Sequence, residues 1–172
     1  MHIVLLEPEI PQNAGNIART CAVTNSVLHL IEPLGFSVED KYLKRAGLDY
    51  WKDLDIRYYK NFSDFLLKNP NAKIWMATTK AQHIYTEVTY SENDYIMFGK
   101  ESAGIPEEIL LQHPDTTIRI PMLPAARSLN LSNSVAIILY EALRQQKFSG
   151  MLRTGELHHH TWAEAVKPSV QK

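Results

Sequence analysis

Short apolar runs alternate along this chain with segments whose apolar residues return every third or fourth position. HIVLLE at positions 2–7 is the first such run, and Pro8 and Pro11 close it, so it predicts a strand. A helix is expected from Asn13, where NAGNIARTCAVTN sets Ile17, Ala18, Cys21 and Ala22 on one stripe and offers Asn13 as its cap. VLHLIEP (27–33) reads as a second strand with PLGF as its exit turn, and EDKYLKRAG (39–47) as a short helix stopped by Gly47. Further strands are predicted at 55–60, 73–79, 94–99 and 116–121. Helices are predicted at 61–69, at 106–113 with Pro106 in the first turn, and last and longest within 127–144. Strands alternating with helices predict an α/β fold, a mainly parallel sheet with flanking helices, in one domain over residues 1–148. Residues 149–172 lose the pattern and read as a loosely attached tail.

The last helix is unusual at both ends of the polarity scale. Val135, Ala136, Ile137, Ile138, Leu139, Ala142 and Leu143 are too many for one buried stripe, so a second face must also be covered. A second copy of the chain is the expected cover, which makes the protein a homodimer. Just before this apolar run stand Arg127, Ser128, Asn130, Ser132 and Asn133. One or two such residues suffice to cap a helix. The surplus points to a site.

Composition narrows the classes. The chain has 172 residues, 45% of them hydrophobic and 22% charged, as in ordinary globular proteins. With 18 basic and 19 acidic residues it has no cationic coat, so RNA binding requires a local patch or a dimer groove. Cys21 is the single cysteine, excludes an intrachain disulfide, and among Ala18, Ala22 and Val23 reads as a small buried side chain. The N-terminal apolar run is too short for a leader and no stretch approaches a membrane span, so a cytoplasmic location is expected. His158, His159 and His160 are consecutive and share no face, which favours a solvated tail over a metal site.

The common phosphate fingerprints are missing, since no GxGxxG follows the first strand and no GxxxxGK[ST] occurs, and there is no GxSxG to carry a hydrolase nucleophile. Three clusters remain. NAGNIAR (13–19) opens the first helix and places Asn13, Gly15 and Asn16 at its positive end, with Arg19 beyond. FGKESAGIP (98–106) leaves a strand end with Gly99 and Gly104 free for close backbone approach and Glu101 as a polar anchor. IRIPMLPAARSLNLSN (118–133) leaves another strand end and can reach the same crevice.

Together with IEPLGF, KRAGLDYW and ATTKA, these clusters resemble in order the motifs of the SPOUT methyltransferases, TrmH-like class, over roughly residues 2–148. The resemblance implies a C-terminal trefoil knot, a homodimer, and S-adenosylmethionine as donor for methylation of the 2′-hydroxyl of a tRNA wobble nucleotide, cytidine or uridine. It implies cofactor contacts from Ala77, Thr78, Thr79, Gly99, Glu101, Gly104, Ile120, Ser128 and Asn130. It implies a catalytic set of Asn13, Arg19, Glu101, Ser128 and Asn130, joined by Tyr140 in catalysis or tRNA recognition. A guanidinium stays protonated, so Arg19 suits stabilisation of a developing alkoxide better than proton removal, with Glu101 orienting it or binding the cofactor. The basic residues expected on tRNA are Lys41, Lys44, Arg45, Lys80 and Arg127, with Tyr42, Tyr50 and Trp51 able to stack on a base. No metal and no membrane partner are expected. Two rival classes are a non-catalytic RNA-binding protein that keeps the fold and a flavodoxin-like nucleotide binder. The full set Arg19, Glu101, Ser128 and Asn130 opposes the first, and the missing phosphate fingerprints oppose the second.

Overall fold

The computed structural model describes residues 1–37 and 54–164. The helix expected at 39–47, and with it Lys41, Tyr42, Lys44, Arg45, Tyr50 and Trp51, lies outside the described residues. Among the described residues, seven parallel strands form one sheet: β1 (His2–Leu6), β2 (Val27–Ile31), β3 (Ile56–Tyr59), β4 (Ile74–Ala77), β5 (His83–Ile84), β6 (Tyr95–Phe98) and β7 (Thr117–Arg119). Their order is β3-β2-β1-β6-β4-β7-β5. The helices are α1 (Pro11–Thr24), α2 (Phe62–Lys68), α3 (Glu107–Leu111) and α4 (Leu131–Gln145). The expected parallel α/β architecture is thus the one observed. β5 carries too few residues to be visible as a pattern and exists only through its pairing with β7.

The central strands are apolar throughout because both faces of the sheet are covered. Ile3, Leu5, Leu28, Leu30, Ile96 and Phe98 face α1 and α4, while Val4, Leu6, Ile31, Met76 and Met97 form a second core with Phe65 of α2 and Leu110 of α3. On α1, the small residues Ala14, Ala18 and Cys21 are buried with Ile17, and they pack near Val135, Ile138, Leu139 and Ala142 of α4. Cys21 is fully buried, and desolvation pushes its thiol up to about 12. It is an inert packing residue, as its neighbours suggested.

Caps set the helix limits. Asn61 accepts the Asp64 N–H and starts α2, and Asn130 accepts the N–H groups of Ser132 and Asn133 and starts α4. Pro106 is the N-cap of α3 and stands just outside its first turn. α1 departs from expectation. It begins at Pro11, its N-cap Ile10 offers no side-chain acceptor, and Asn13 therefore lies inside the helix with only 5% of its surface exposed. Proline at the first position ends the strand-to-helix turn earlier than the apolar stripe suggested.

A polar chain runs through the core beside α2. The ring of His29, fully buried, lies 2.9 Å from Nδ1 of His2 through Nε2 and 2.8 Å from the Tyr59 hydroxyl through Nδ1. Asn69 continues it, donating to Tyr59 and accepting from the Tyr95 hydroxyl. Among the described residues, no buried side-chain nitrogen or oxygen lacks a partner. Nor is any helix among them long and apolar enough to cross a membrane.

Candidate active site

The connections that follow β1, β6, β4 and β7 meet in a crevice of about 570 Å³. The size suits a small molecule. The place is the one open parallel sheets use, beyond the carboxyl ends of the strands. Phe98, Ile118, Ile120 and Ile138 supply apolar wall, while Asn13, Thr78, Thr79, Glu101, Ser128 and Asn130 supply polar rim.

The loop after β6 is shaped by its glycines. Gly104 adopts φ +72° and returns its N–H to the Lys100 carbonyl at 2.7 Å, a reversal that a left-handed glycine makes easily. A Cβ on Gly99 would lie 2.0 Å from the Gly104 carbonyl carbon and 2.2 Å from the Ile105 nitrogen, so no side chain fits there. The reversal aims Glu101 at the start of α1. Its carboxylate accepts from the N–H of Glu9 at 2.8 Å, the N–H of Ile10 at 3.3 Å and Nδ2 of Asn13 at 2.8 Å. A negative group at this end of α1 also answers the helix dipole and replaces the cap Ile10 cannot provide.

The direction of every hydrogen bond onward follows from that carboxylate, which can only accept. Asn13 must turn Nδ2 toward Glu101, so its Oδ1 faces Asn130 and accepts from Nδ2 at 3.0 Å. Asn130 in turn has Oδ1 left over, and it accepts from Ser132 N at 2.9 Å, Ser132 Oγ at 2.7 Å and Asn133 N at 3.3 Å. One acidic group thereby orients two amides and the start of α4. This accounts for the polar crowd before α4: Asn130 caps and bridges, Ser132 and Asn133 are capped, and Arg127 and Ser128 line the crevice.

All the residues expected to touch a cofactor, namely Ala77, Thr78, Thr79, Gly99, Glu101, Gly104, Ile120, Ser128 and Asn130, line this one crevice. Four of the expected catalytic residues, Asn13, Glu101, Ser128 and Asn130, are there too. Arg19 and Tyr140 are not among its lining residues. Arg19 is exposed on the side of α1 away from Ile17, Ala18 and Cys21, and Tyr140 is 42% exposed on α4. Helix periodicity explains the position of Arg19, since residues six apart on α1 cannot share Asn13's inward face. Asn13 is itself corrected from a cap to a buried bridge. Lys80 and Arg127 stand on the rim, Lys80 pairing with Glu107 at 3.0 Å.

Sequence reasoning passed over Ile10, Lys100, Ser102, Met122, Leu129, Ser134 and Ile138, which also line the crevice, and Glu7 and Glu9, which bond to Lys100 and Ser102 of that lining. The alternation of acids and prolines in EPEIP, against Lys100 and Ser102 on either side of Glu101, was the available signal. Among the described residues no group of three or more His, Cys, Asp or Glu could hold a metal ion.

Residues 1–140 match the model of the SpoU rRNA Methylase family. A relative from Listeria innocua, provisionally named tRNA (cytidine(34)-2'-O)-methyltransferase, is 50% identical over 155 residues, 88% of this chain and 92% of that one. The tRNA (cytidine(34)-2'-O)-methyltransferase of Saccharophagus degradans is 48% identical over 150 residues, 87% of this chain and 97% of that one. A solved structure from work on 2-OH methylation of C/U34 on tRNA is 46% identical with a TM-score of 0.81, covering 86% of this chain and 96% of that chain.

Proposed function

We propose, on the premise that the chain belongs to the SpoU rRNA Methylase family, that it methylates the ribose 2′-hydroxyl of the tRNA wobble nucleotide, cytidine or uridine 34, with S-adenosylmethionine as donor. The observation that carries this reading is the crevice at the strand ends, bordered by the linked side chains Glu101, Asn13 and Asn130. It fits the donor: the apolar walls match a flat adenosine, and the backbone of the loops after β4 and β6 offers edges for its polar groups. Bound there, S-adenosylmethionine supplies a methyl group already activated by its sulfonium. What the protein adds is position and charge.

Thr78, Thr79, Gly99 and Gly104 form the walls that hold the donor, and Ser128 and Asn130 close it from the α4 side. Glu101 has its oxygens committed to Glu9, Ile10 and Asn13, so it orients rather than removes a proton. Arg19 stabilises the negative charge that develops on the acceptor oxygen as its proton passes to water. From the outer face of α1 it reaches a crevice most directly across a subunit interface, so Arg19 of the partner subunit completes each site of a homodimer. Tyr140 and Ile137, large apolar side chains exposed on the face of α4 away from its buried stripe, support the same arrangement. Lys80 and Arg127 meet tRNA phosphates, and near-neutral total charge keeps the salt dependence modest. The reading includes the trefoil knot, a cytoplasmic location, and a domain ending near residue 148, the last supported by unbroken exposure from residue 152 to 163.

The test is transfer of labelled methyl from S-adenosylmethionine to tRNA from cells lacking this protein, with Arg19→Ala beside the wild type and nuclease mapping of the product. Label at the 2′-oxygen of nucleotide 34, lost in the variant, is expected. Tight tRNA binding without transfer would instead favour a non-catalytic RNA-binding role.

A further inference from the structure

We infer that Glu9 is a positioning residue for methyl transfer, acting through Ser102 on the loop that carries Glu101 and hence on the amide of Asn13. The inference rests on the function proposed above and names a residue outside the crevice lining.

Three successive residues of the β6 loop reach back to the connection between β1 and α1. Lys100 pairs with Glu7 at 2.8 Å, Glu101 accepts from Glu9, Ile10 and Asn13, and Ser102 donates to Glu9. Glu9 stands on both sides of this exchange. Its N–H goes to the Glu101 carboxylate at 2.8 Å, while its own carboxylate takes Ser102 N at 2.9 Å and Ser102 Oγ at 2.8 Å. The Ser102 bonds hold the Glu9 carboxyl below its ordinary range. Charge-assisted bonds of this kind are short and directional.

The backbone of Glu9 is pinned as well. Gly35 approaches so closely that a Cβ on it would lie 2.7 Å from both Cα and O of Glu9, and its N–H donates to the Pro8 carbonyl at 2.9 Å. Glu7, one residue before Pro8, adopts φ 53°, a left-handed conformation unusual for glutamate, and its side chain completes the pair with Lys100. A rigid post therefore faces a loop bounded by two glycines. Without the Glu9 carboxylate, Ser102 loses its acceptor, and Glu101 is held only by its own bonds to the N–H groups of Glu9 and Ile10 and to Asn13, on a loop free to shift between Gly99 and Gly104. Asn13 and Asn130 take their orientation from Glu101, so the error passes to the groups that face the substrate.

This role is separable from folding. Ser102 is exposed and Glu9 only partly covered, and an exposed pair contributes little to stability. In the full-length protein, Glu9→Ala is expected to lower kcat by about ten- to a hundredfold, the effect of sub-ångström to ångström misplacement. The KM for tRNA should hold, and Tm should stay within about 2 °C of wild type. Amide exchange at Ser102 should quicken by about tenfold or more. Glu9→Gln, which keeps an acceptor for the Ser102 N–H, should recover most of kcat, and Glu9→Ala with Ser102→Ala should be no slower than Glu9→Ala alone. Should Glu9→Ala fail to fold, Glu9→Gln and Ser102→Ala carry the same comparison, with intermediate losses expected. Wild-type kcat in Glu9→Ala, or losses that multiply in the double variant, would overturn the inference while leaving the activity standing. A wild-type protein that transfers no methyl to tRNA would overturn the functional reading and this inference with it.

Discussion

Two polar networks cross this chain, and the contrast between them separates chemistry from architecture. One runs Glu101–Asn13–Asn130 along the crevice; the other runs His2–His29–Tyr59–Asn69–Tyr95 within the core beside α2. The first is led by an ionised group and ends in side chains that face open space. The second is closed among aromatic rings, with His2 stacked on Tyr95 at 4.2 Å and His29 edge-on to Phe65. A charge sets directions in the first, whereas the second persists only while its histidines stay neutral. Burial lowers His29 to about 3 and His2 to about 4. The crevice network can therefore work on a ligand, and the core network can only make stability depend on pH.

The largest effects should fall on the crevice network. Glu101→Ala leaves the N–H groups of Glu9 and Ile10 and the amide of Asn13 without their acceptor, and a loss of methyl transfer of about a hundredfold or more is expected. Asn13→Asp sharpens the point by setting a second carboxylate against Glu101; single-turnover assays on both variants should show transfer nearly abolished, with His29 and its partners undisturbed. Equal activity in either variant would break the contrast.

Next comes Gly99→Ala, for which the close Gly104 and Ile105 backbone leaves no room. Overpacking of this kind costs about 1–3 kcal/mol, and calorimetry should find S-adenosylhomocysteine affinity lost along with part of the stability. The core network responds to acid instead. His29 binds its proton in the unfolded chain near 6.5 and in the folded chain near 3, so stability is complete above pH 6.5 and declines as pH falls toward 3. Between pH 7 and pH 5 the loss is about 2 kcal/mol from this histidine, readable in urea melts, and His29→Phe should flatten that slope without changing kcat at pH 7. The smallest effect is expected at the exposed Asp64–Lys68 pair of α2, where Lys68→Ala should cost about 0.3–0.5 kcal/mol and leave transfer unchanged.

The same contrast marks how far the chain could be read before its structure. Apolar runs announced β1, β2, β4 and β6, because a parallel strand covered on both faces needs no alternation. The run VLHLI hid His29 for that reason: one polar ring in an apolar strand has no period, and its partners Tyr59 and Asn69 come from other elements. At the crevice, residue types and motif order named Asn13, Glu101, Ser128 and Asn130, whereas Arg19 and Tyr140 were named without their outward positions. The Glu9–Ser102 clasp joins residues 93 apart and leaves no local mark on either segment.

Local chemistry in the sequence was thus enough for the parallel α/β class, the helix that Asn61 opens, the inert Cys21 and the three segments of the site. Those features depend on neighbours a few residues away, where periodicity and capping act. The tertiary structure alone decided that Asn13 bridges Glu101 to Asn130 and that the Glu9 carboxylate clasps Ser102. These depend on which loops meet at the strand ends. There, one carboxylate that can only accept hydrogen bonds dictates the direction of every bond after it.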